Sequence, residues 1–476
     1  MKNIIYLILI ILAGLSISSC EKWLDINENP NSATTVDPDY LFSEAVTAFS
    51  ANRIGGDGFC PIGTGSQMWS SGGLWGLYGD FYVFSPYSTG NCFGIVYGDA
   101  GRNLYLAIQE SKKATPVKTN TIAQCMIFSA YTFFQNTMTY GDLPMSESFH
   151  VEIDKPKYDS QEKILDSLVL QLDAALDMID DSPTQISTND LIYGGDMDQW
   201  AKFGRSLKFK ILMYMVDRKP EYAAQIRAML TAGGMIDSEA DNFAFPYFDQ
   251  AGNRNAMWTI GDQYYGPDGI DDFFMTPADA DIMNPTTDPR RAVYFTPGDD
   301  SGGDFIPCAA SEDATTGSAY YNAHNLAKPD QEDVMHSYSE QMLLEAEAEL
   351  RFNNSLVAAK NKFDIGVAAS LDYWNVDETE RDDFIDQFSF TNIDQALRTI
   401  HEQQWVDLIP RPIEGWSNWR RSGADGNEIP HLTVPINANY PDLFRRWPYP
   451  DDERAANSDN IPSPLPKIYD KMWFDL

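Results

Sequence analysis

The sequence predicts a mainly α-helical protein in which long irregular loops join the helices. Apolar residues recur at helical spacing in several separate segments, and no strand-rich block or β–α–β alternation is visible. The segments between the helices are rich in Gly, Pro and Asp, which is typical of loops. The chain has 476 residues, enough for a large core. Because the irregular segments interleave with helices, one compact domain is favoured over several.

The helical framework is predicted in three parts of the chain, residues 37–53, 101–235 and 336–410. Asp37 and Pro38 begin the first helix as its N-cap and first residue. Paired helices of this kind resemble tetratricopeptide-type hairpins in architecture, although the consensus repeat is not legible.

Apolar stripes mark the helices of the second part, at Ile127–Met138, Ile164–Ile179 and Trp200–Ile211. Gly141 is expected to end the first of these helices. In the third part, Ser339–Arg351 is strongly helical, with a later helix near Ile393–Leu408. Charged residues outside the stripes are predicted to face solvent, namely Arg205, Lys208, Lys210, Glu345, Glu347 and Glu349.

Three segments, 54–100, 236–335 and 411–476, are predicted to be rich in loops, and a loop as long as residues 54–100 is uncommon unless it is functional. Aromatic residues make up 13% of the chain, more than a core of this size needs. Flat rings stack on the apolar faces of sugars and on peptide groups. The candidate ligand-binding rings are Trp69, Trp75, Tyr78 and Tyr82 in the first segment and Tyr264 and Tyr265 in the second. The alternative is that such rings fill the core beneath the loops.

The first 36 residues predict export and lipid anchoring. Lys2 precedes the apolar run Ile4–Ala13, and small residues then lead to Cys20. This order is typical of a signal peptide (residues 1–19) cut before a lipid-modified cysteine. Residues 20–36 are then a lipidated tether, and residues 37–476 are the folded domain. Since no other stretch reaches membrane-spanning length, we expect a protein anchored to a membrane outside the cytoplasm.

The strongly acidic charge argues against nucleic acid as a partner. Asp and Glu number 70 against 34 Lys and Arg, which gives a formal net charge of −36. Such a surface repels phosphate backbones and anionic lipid, so the lipid must hold the membrane. Of the other cysteines, Cys60 and Cys92 lie in loop-like sequence where a disulfide is one possibility, and Cys125 is expected to be a buried thiol.

Catalytic and metal motifs are weak or missing. His401–Trp405 starts like a zinc-protease helix, but Trp405 replaces the second histidine. Asp271–Asp272 and Asp299–Asp300 are carboxylate pairs, for which solvated turns are favoured over catalysis. No cofactor is expected; the same acidic loops leave structural calcium as an alternative, without an EF-hand pattern to support it.

Motifs along nearly the whole chain carry a family resemblance. They are Asp25–Asn31 behind Cys20, Tyr140–Pro144, Trp200–Leu212, Asp288–Arg290, Ser337–Arg351, Ile400–Arg421 and Arg445–Pro450 followed by Glu453 and Asn457. Together and in this order they resemble the SusD/RagB family of nutrient-binding outer-membrane lipoproteins of Bacteroidetes. Most of them are expected to be scaffold: Trp416, Trp419 and Arg420 are predicted to pack a corner, with the guanidinium stacked or paired to an acid.

The resemblance implies a tetratricopeptide-like helical framework with a loop-rich binding face and no enzymatic activity. It implies capture of oligosaccharides or peptides at the cell surface and delivery to a SusC-type TonB-dependent transporter. No ligand residue carries over by motif, so the candidate rings rest on the residues alone. The alternative from another class is a membrane-anchored glycosidase that uses a carboxylate pair.

Overall fold

The computed structural model describes residues 36–72, 79–264, 266, 272–421 and 428–476. Residues Pro38–Leu476 cluster as one unit with its own core. The predicted signal peptide, Cys20 and the tether up to residue 35 lie outside the described residues. So do Trp75, Tyr78, Tyr265 and Asp271.

Helices dominate the described chain. In chain order they are α1 Pro38–Ile54, α2 Phe59–Gly65, α3 Pro86–Ile95, α4 Gly101–Lys113, α5 Thr119–Tyr140, α6 Gln161–Met178, α7 Met197–Met215, α8 Ala223–Ala232, α9 Ala256–Tyr264, α10 Pro277–Thr286, α11 Arg290–Tyr294, α12 Ala323–Leu326, α13 Tyr338–Asn353, α14 Leu356–Tyr373, α15 Glu378–Ile385, α16 Ile393–Leu408, α17 Pro412–Arg421 and α18 Asp451–Ala456. A π-helical turn, Val96–Ala100, joins α3 to α4, and 3₁₀ turns lie at Pro220–Tyr222 and Glu239–Asp241.

Strands are short and pair antiparallel in the described chain. They are β1 Phe243–Phe245, β2 Phe295–Thr296, β3 Tyr320–Tyr321 and β4 Asp333–His336. β1 pairs with β4, and β2 pairs with β3. The mainly α fold class is confirmed. None of the described helices combines the length and apolar character that a membrane crossing requires.

The framework consists of helices that pack against their neighbours in the chain, α4–α5, α5–α6, α6–α7 and α13–α14. The predicted start of the first helix at Pro38 is confirmed, and its apolar stripe is buried. Gly141 ends α5 as predicted, with a φ of 88° that favours glycine. The predicted stripes at 127–138 and 200–211 face the core, because burial of one face stabilises the helix. The stripe at 164–179 is buried up to Ala175, whereas Leu176 and Ile179 are only partly buried.

Eight helices of the described chain lie in the segments that the sequence predicted to be loop-rich, and two of them are buried on all sides. Every residue of α2, in the segment 54–100, is buried. The same holds for α17, in the segment 411–476. A helix that is covered all round needs no polar face, and the sequence of α2 accordingly has no charged residue and no stripe that predicts a helix.

The predicted exposure of three charged side chains is wrong. Lys210 on α7 is buried and pairs with Glu340 at 2.5 Å. Glu345 and Glu347 on α13 are also buried; Glu345 pairs with Lys362 at 2.7 Å. Their partners come from other helices, so these charges hold helices together. Arg205 is exposed, while Lys208 and Glu349 are partly buried.

The cysteines carry no disulfide in the described structure. Cys60, Cys92, Cys125 and Cys308 are all free thiols, so the Cys60–Cys92 disulfide that the sequence left open is not formed in this structure. Cys125 is buried as predicted. Burial raises the pKa of the Cys60 thiol to about 12, which makes the thiolate rare at neutral pH.

The predicted scaffold corner is confirmed. The Arg420 guanidinium lies 3.6 Å from the centre of the Trp416 ring and stacks on it. Arg420 also donates to the carbonyl oxygens of Arg445 and Met138, each at 2.7 Å. The corner therefore ties the C-terminal segment to α5 and offers no surface to a ligand, since these side chains are buried.

Candidate ligand-binding site

A backbone bridge joins described residues that flank two segments with candidate rings. The backbone N–H of Ser70 donates to the Phe274 carbonyl at 2.9 Å, and the N–H of Phe274 donates back at 2.8 Å. Trp75 and Tyr78 follow Ser70 closely in the sequence, and Tyr264 and Tyr265 precede Phe274. The fold thus brings the flanks of both segments together, as ligand binding by rings from both would require.

The buried carboxylate of Asp80 bridges the first of these segments to Ser311. One oxygen of Asp80 accepts hydrogen bonds from the Ser71 N–H and hydroxyl, both at 3.0 Å, and from the Ser311 N–H at 3.1 Å. Burial raises the pKa of Asp80 to about 6, although these donors oppose the rise. We call Ser70, Ser71, Asp80, Phe274 and Ser311 the loop root.

Trp69 and Tyr82 are core residues, so their prediction as ligand contacts is wrong. Trp69 is fully buried, and its ring centre lies 4.9 Å from that of Phe59. Gly63 makes room for it, because a Cβ there would lie only 2.1 Å from the indole. Tyr82 is 1% exposed and packs against Phe444. Both rings fill the core beneath the loops, which was the alternative reading of the sequence.

Tyr264 is the candidate ring that the described structure places in solvent. It ends α9, and 70% of its surface is exposed. An exposed ring of this size is free to stack on a ligand. Trp75, Tyr78 and Tyr265 lie outside the described residues, and their role stays a prediction.

A groove of about 510 Å³ lies beside the loop root. Gln67, Ala310 and Glu312 form its near side, and the last two flank Ser311 of the root. Another side is the segment 429–436, which belongs to no helix or strand, and Gln67 fixes it by donating to the Thr433 carbonyl at 2.8 Å. Helices α10 and α16 supply the remaining walls.

Sequence reasoning missed this groove, because its walls come from distant parts of the chain. A usable signal was present in Pro430 and Pro435. Proline lacks a backbone N–H and marks strand edges that remain unpaired, so two prolines around His431–Val434 favour an open extended edge. In the described structure, the N–H groups of residues 431–434 take part in no hydrogen bond.

The groove combines aliphatic walls with carboxylates. Its acidic side chains are Asp281, Glu312 and Glu402, with Arg398 as the one cation among the lining residues of the described chain. Burial raises the pKa of Glu402, and the neighbouring Arg398 opposes this. The groove therefore offers hydrogen-bond acceptors from side chains and donors from the open backbone edge.

Metal and acid–base sites find little support among the described residues. No cluster of three or more His, Cys, Asp or Glu residues there could hold a metal ion. His401 is buried at 3.6 Å from Glu347 and belongs to the framework. Asp299 and Asp300 are exposed in a turn, where the Thr316 hydroxyl donates to Asp300.

Comparison with known families places the fold. A SusD-like family model, described as starch-binding and associating with the outer membrane, matches residues 81–450. The chain belongs to the SusD-like family. Among curated proteins, no sequence matches it significantly.

Solved structures of SusD homologues share the fold. One from Parabacteroides distasonis superposes with a TM-score of 0.75 at 21% identity, over 92% of this chain and 97% of its own. A chitin-binding homologue from Flavobacterium johnsoniae gives 0.72 at 19% identity, over 92% and 97%. A Bacteroidetes SusD-like protein gives 0.76 at 20% identity, over 93% and 100%. The shared architecture is the tetratricopeptide-like helical framework.

The family match covers the groove except for Gln67, and it does not cover all of the candidate rings. It begins at residue 81, so Trp75 and Tyr78 precede it, while the groove walls from α10, α16 and segment 429–436 fall inside. The SusD-like match therefore identifies the scaffold and leaves the ligand contacts to be argued from this chain's own residues.

Proposed function

We propose that this SusD-like protein is a cell-surface lipoprotein that binds a nutrient and delivers it to a SusC-type TonB-dependent transporter. The family match, described as starch-binding and associating with the outer membrane, is the observation that carries this proposal. The export and lipid signals around Cys20 support anchoring at the outer membrane. Delivery to a transporter is what the family resemblance implies.

The ligand site of this proposal lies at the loop root and the adjacent groove. The rings proposed to stack on the ligand are Trp75, Tyr78, Tyr264 and Tyr265. The backbone bridge between Ser70 and Phe274 joins the flanks of the two segments that carry them. Aromatic rings that bind a ligand are expected to be accessible, and Tyr264 meets this condition. Trp69 and Tyr82 are left out because they are buried.

An oligosaccharide is the ligand class that the comparisons favour. The family description names starch, and a structural relative is named as chitin-binding. A peptide is the second candidate, because the backbone N–H groups of residues 431–434 have no partner in the described chain and line the groove. An extended peptide could pair with these groups through backbone hydrogen bonds.

Binding without turnover is part of the proposal. A glycosidase needs two carboxyl groups about 5–10 Å apart that flank the scissile bond. The predicted pair Asp299–Asp300 lies exposed in a turn, and Asp271 lies outside the described residues. Release of new reducing ends from any bound glycan would contradict this part of the proposal.

A glycan and peptide array probed with the mature, unlipidated protein tests the ligand class. Trp75→Ala and Tyr264→Ala are expected to weaken binding of the best ligand by about fivefold or more, since aromatic anchors typically contribute over about 1 kcal/mol. Tyr40→Ala is the matched control, because Tyr40 is a tyrosine on α1 with 67% exposure. Equal affinity in all three variants would place the ligand elsewhere.

A further inference from the structure

A second concave site lies away from the groove, beside the β1–β4 ladder. Phe245 pairs with Asp333, so Tyr247 and Glu332 leave the two strands at the same end. Trp374, which follows α14 directly, forms the opposite wall. This open concavity measures about 420 Å³ and shares no lining residue with the groove. We call it the Trp374 cleft.

Packed rings form one wall of the cleft. Trp374 meets Tyr373 edge-on, with ring centres 4.9 Å apart, and Tyr294 in the same way at 5.7 Å. Gln331 donates to the Tyr373 hydroxyl at 3.0 Å and fixes that ring. Trp374 is only partly buried, and its indole N–H has no hydrogen-bond partner among the described residues. The ring is therefore held in place while one donor remains available.

Unused polar groups surround these rings. Lys328, Asp330 and Asn375 are exposed, and their side chains form no ion pair or hydrogen bond within the described chain. They supply donors, acceptors and charges of both signs. Glu332 also lines the cleft, where its carboxyl is partly buried. Burial raises the pKa of Glu332, and the hydrogen bond from the Tyr373 hydroxyl opposes the rise.

The floor of the cleft is rigidly supported from within. The Tyr247 hydroxyl is hydrogen-bonded to the Ser50 hydroxyl at 2.9 Å, and Ser50 donates to Asp333 at 2.8 Å. Asp333 is in turn paired with the buried Arg53 of α1. A binding site needs side chains that surrounding contacts hold in position, and these bonds provide that support.

We infer that the Trp374 cleft is a second ligand site, which binds a short neutral oligosaccharide by stacking a sugar ring on Trp374. Free donors and acceptors beside a held aromatic ring match the two surfaces of a sugar, its hydroxyls and its apolar face. Lys328 and Asp330 oppose each other in charge, which favours a neutral ligand. The cavity falls within the range of about 300–1,000 Å³ that small-molecule sites occupy.

The inference is independent of the loop-root site, because different residues form the two sites. The Trp75→Ala variant removes a proposed loop-root contact and weakens that site, so that binding in the cleft is measured against a reduced background. Maltotriose and N,N′-diacetylchitobiose are the probes, measured by titration calorimetry and by soaking crystals of the mature, unlipidated protein.

In the Trp75→Ala background, one of the two sugars is expected to bind and to appear on Trp374 in the soaked crystals. Asp330→Ala should then weaken binding about tenfold, because a hydrogen-bonded acceptor is lost. Trp374→Leu should abolish it. Asp330 forms no internal contact, so its variant tests the site even where Trp374→Leu fails to fold. Asp299→Ala, another exposed aspartate, is the control and should bind normally.

Two results would overturn the inference. One is that neither sugar binds the Trp75→Ala protein. The other is that binding persists unchanged in both Asp330→Ala and Trp374→Leu, with the cleft empty in the crystals. Binding in the cleft together with unchanged loop-root affinity in Trp75→Ala would instead count against the proposed loop-root contact alone, so the two ideas fail separately.

Discussion

The framework and the loop root each bury a carboxylate, and they stabilise it in opposite ways. Glu347 on α13 accepts from the two terminal nitrogens of Arg421, at 2.9 and 3.0 Å, and from Arg351 at 2.9 Å. These cations hold its pKa well below the usual range despite burial. Among the described residues, Asp80 accepts hydrogen bonds from neutral donors only, those of Ser71 and Ser311, and burial raises its pKa to about 6.

The difference shows how the two regions respond to proton concentration. A carboxylate paired with arginine favours the charged form, so its contribution to stability is lost as pH falls. A carboxylate that is buried among neutral donors favours the protonated form, so its contribution is lost as pH rises. Buried ion pairs therefore stabilise the helical framework. The loop root instead depends on hydrogen bonds to Asp80, which changes its protonation state near pH 6.

The largest expected effect comes from breaking the framework cluster. Glu347→Ala leaves Arg421 fully buried without its carboxylate partner. Removal of one partner from a buried pair typically costs about 3–5 kcal/mol. We expect the free energy of unfolding, measured by urea denaturation at neutral pH, to fall by about that amount.

Glu349→Ala is the matched control on the same helix. Glu349 is only partly buried and accepts one hydrogen bond, from Asn353 at 2.8 Å. Its loss should change the free energy of unfolding by less than about 0.5 kcal/mol, as is usual for surface positions. Similar decreases in the free energy of unfolding for the two variants would show that the buried Glu347–Arg421 pair does not stabilise the framework.

The second effect separates the two carboxylates by pH. Asp80→Asn keeps an acceptor for the three donors but removes the titration. Because the folded pKa of about 6 exceeds the ordinary 3.8, wild-type protein loses stability as pH rises from about 4 through 6. The shift of about two units corresponds to roughly 3 kcal/mol.

Denaturation of both proteins at several pH values measures this effect. The stability of Asp80→Asn relative to wild type should increase by up to about 3 kcal/mol between pH 4 and pH 7.5. Any constant cost of the amide cancels, since only the change with pH is read. A constant difference across this range would mean that Asp80 titrates normally.

The same contrast explains what could be predicted from the sequence. The stripes of α5, α6 and α7 were recognisable because apolar periodicity is local. The burial of Lys210 and Glu347 was not, because their partners Glu340 and Arg421 lie far away in the chain. Charge alone does not reveal whether a distant residue will pair with it.

The candidate site divides in a similar way. Trp69 and Tyr264 both lie in sequence rich in glycine and aromatics, yet Trp69 is fully buried and Tyr264 is 70% exposed. Trp69 is buried because its ring packs against Phe59, Phe273 and Tyr321, and no local sequence pattern shows these contacts. The groove likewise joins Gln67 to a segment beyond residue 428, and sequence reasoning had no motif to connect them.

The smallest expected effect tests a single hydrogen bond at the loop root. Ser71→Ala removes the hydroxyl that donates to Asp80 at 3.0 Å and leaves the backbone donor in place. A hydrogen bond to a charged acceptor contributes about 1.5–3 kcal/mol, against about 0.5–1.5 kcal/mol for a neutral one. The variant should therefore lose about 2 kcal/mol at pH 7.5, where Asp80 is charged, and about 1 kcal/mol at pH 4.5.

Ser148→Ala provides the comparison that isolates the charge. Ser148 is also buried, and its hydroxyl donates to the Pro144 carbonyl at 2.8 Å, an acceptor that does not titrate. Its loss should lower the free energy of unfolding equally at both pH values. If Ser71→Ala were just as insensitive to pH, Asp80 would keep one protonation state throughout this range. The stability of the loop root would then not depend on the titration of Asp80, and the contrast in pH dependence between the two regions would disappear.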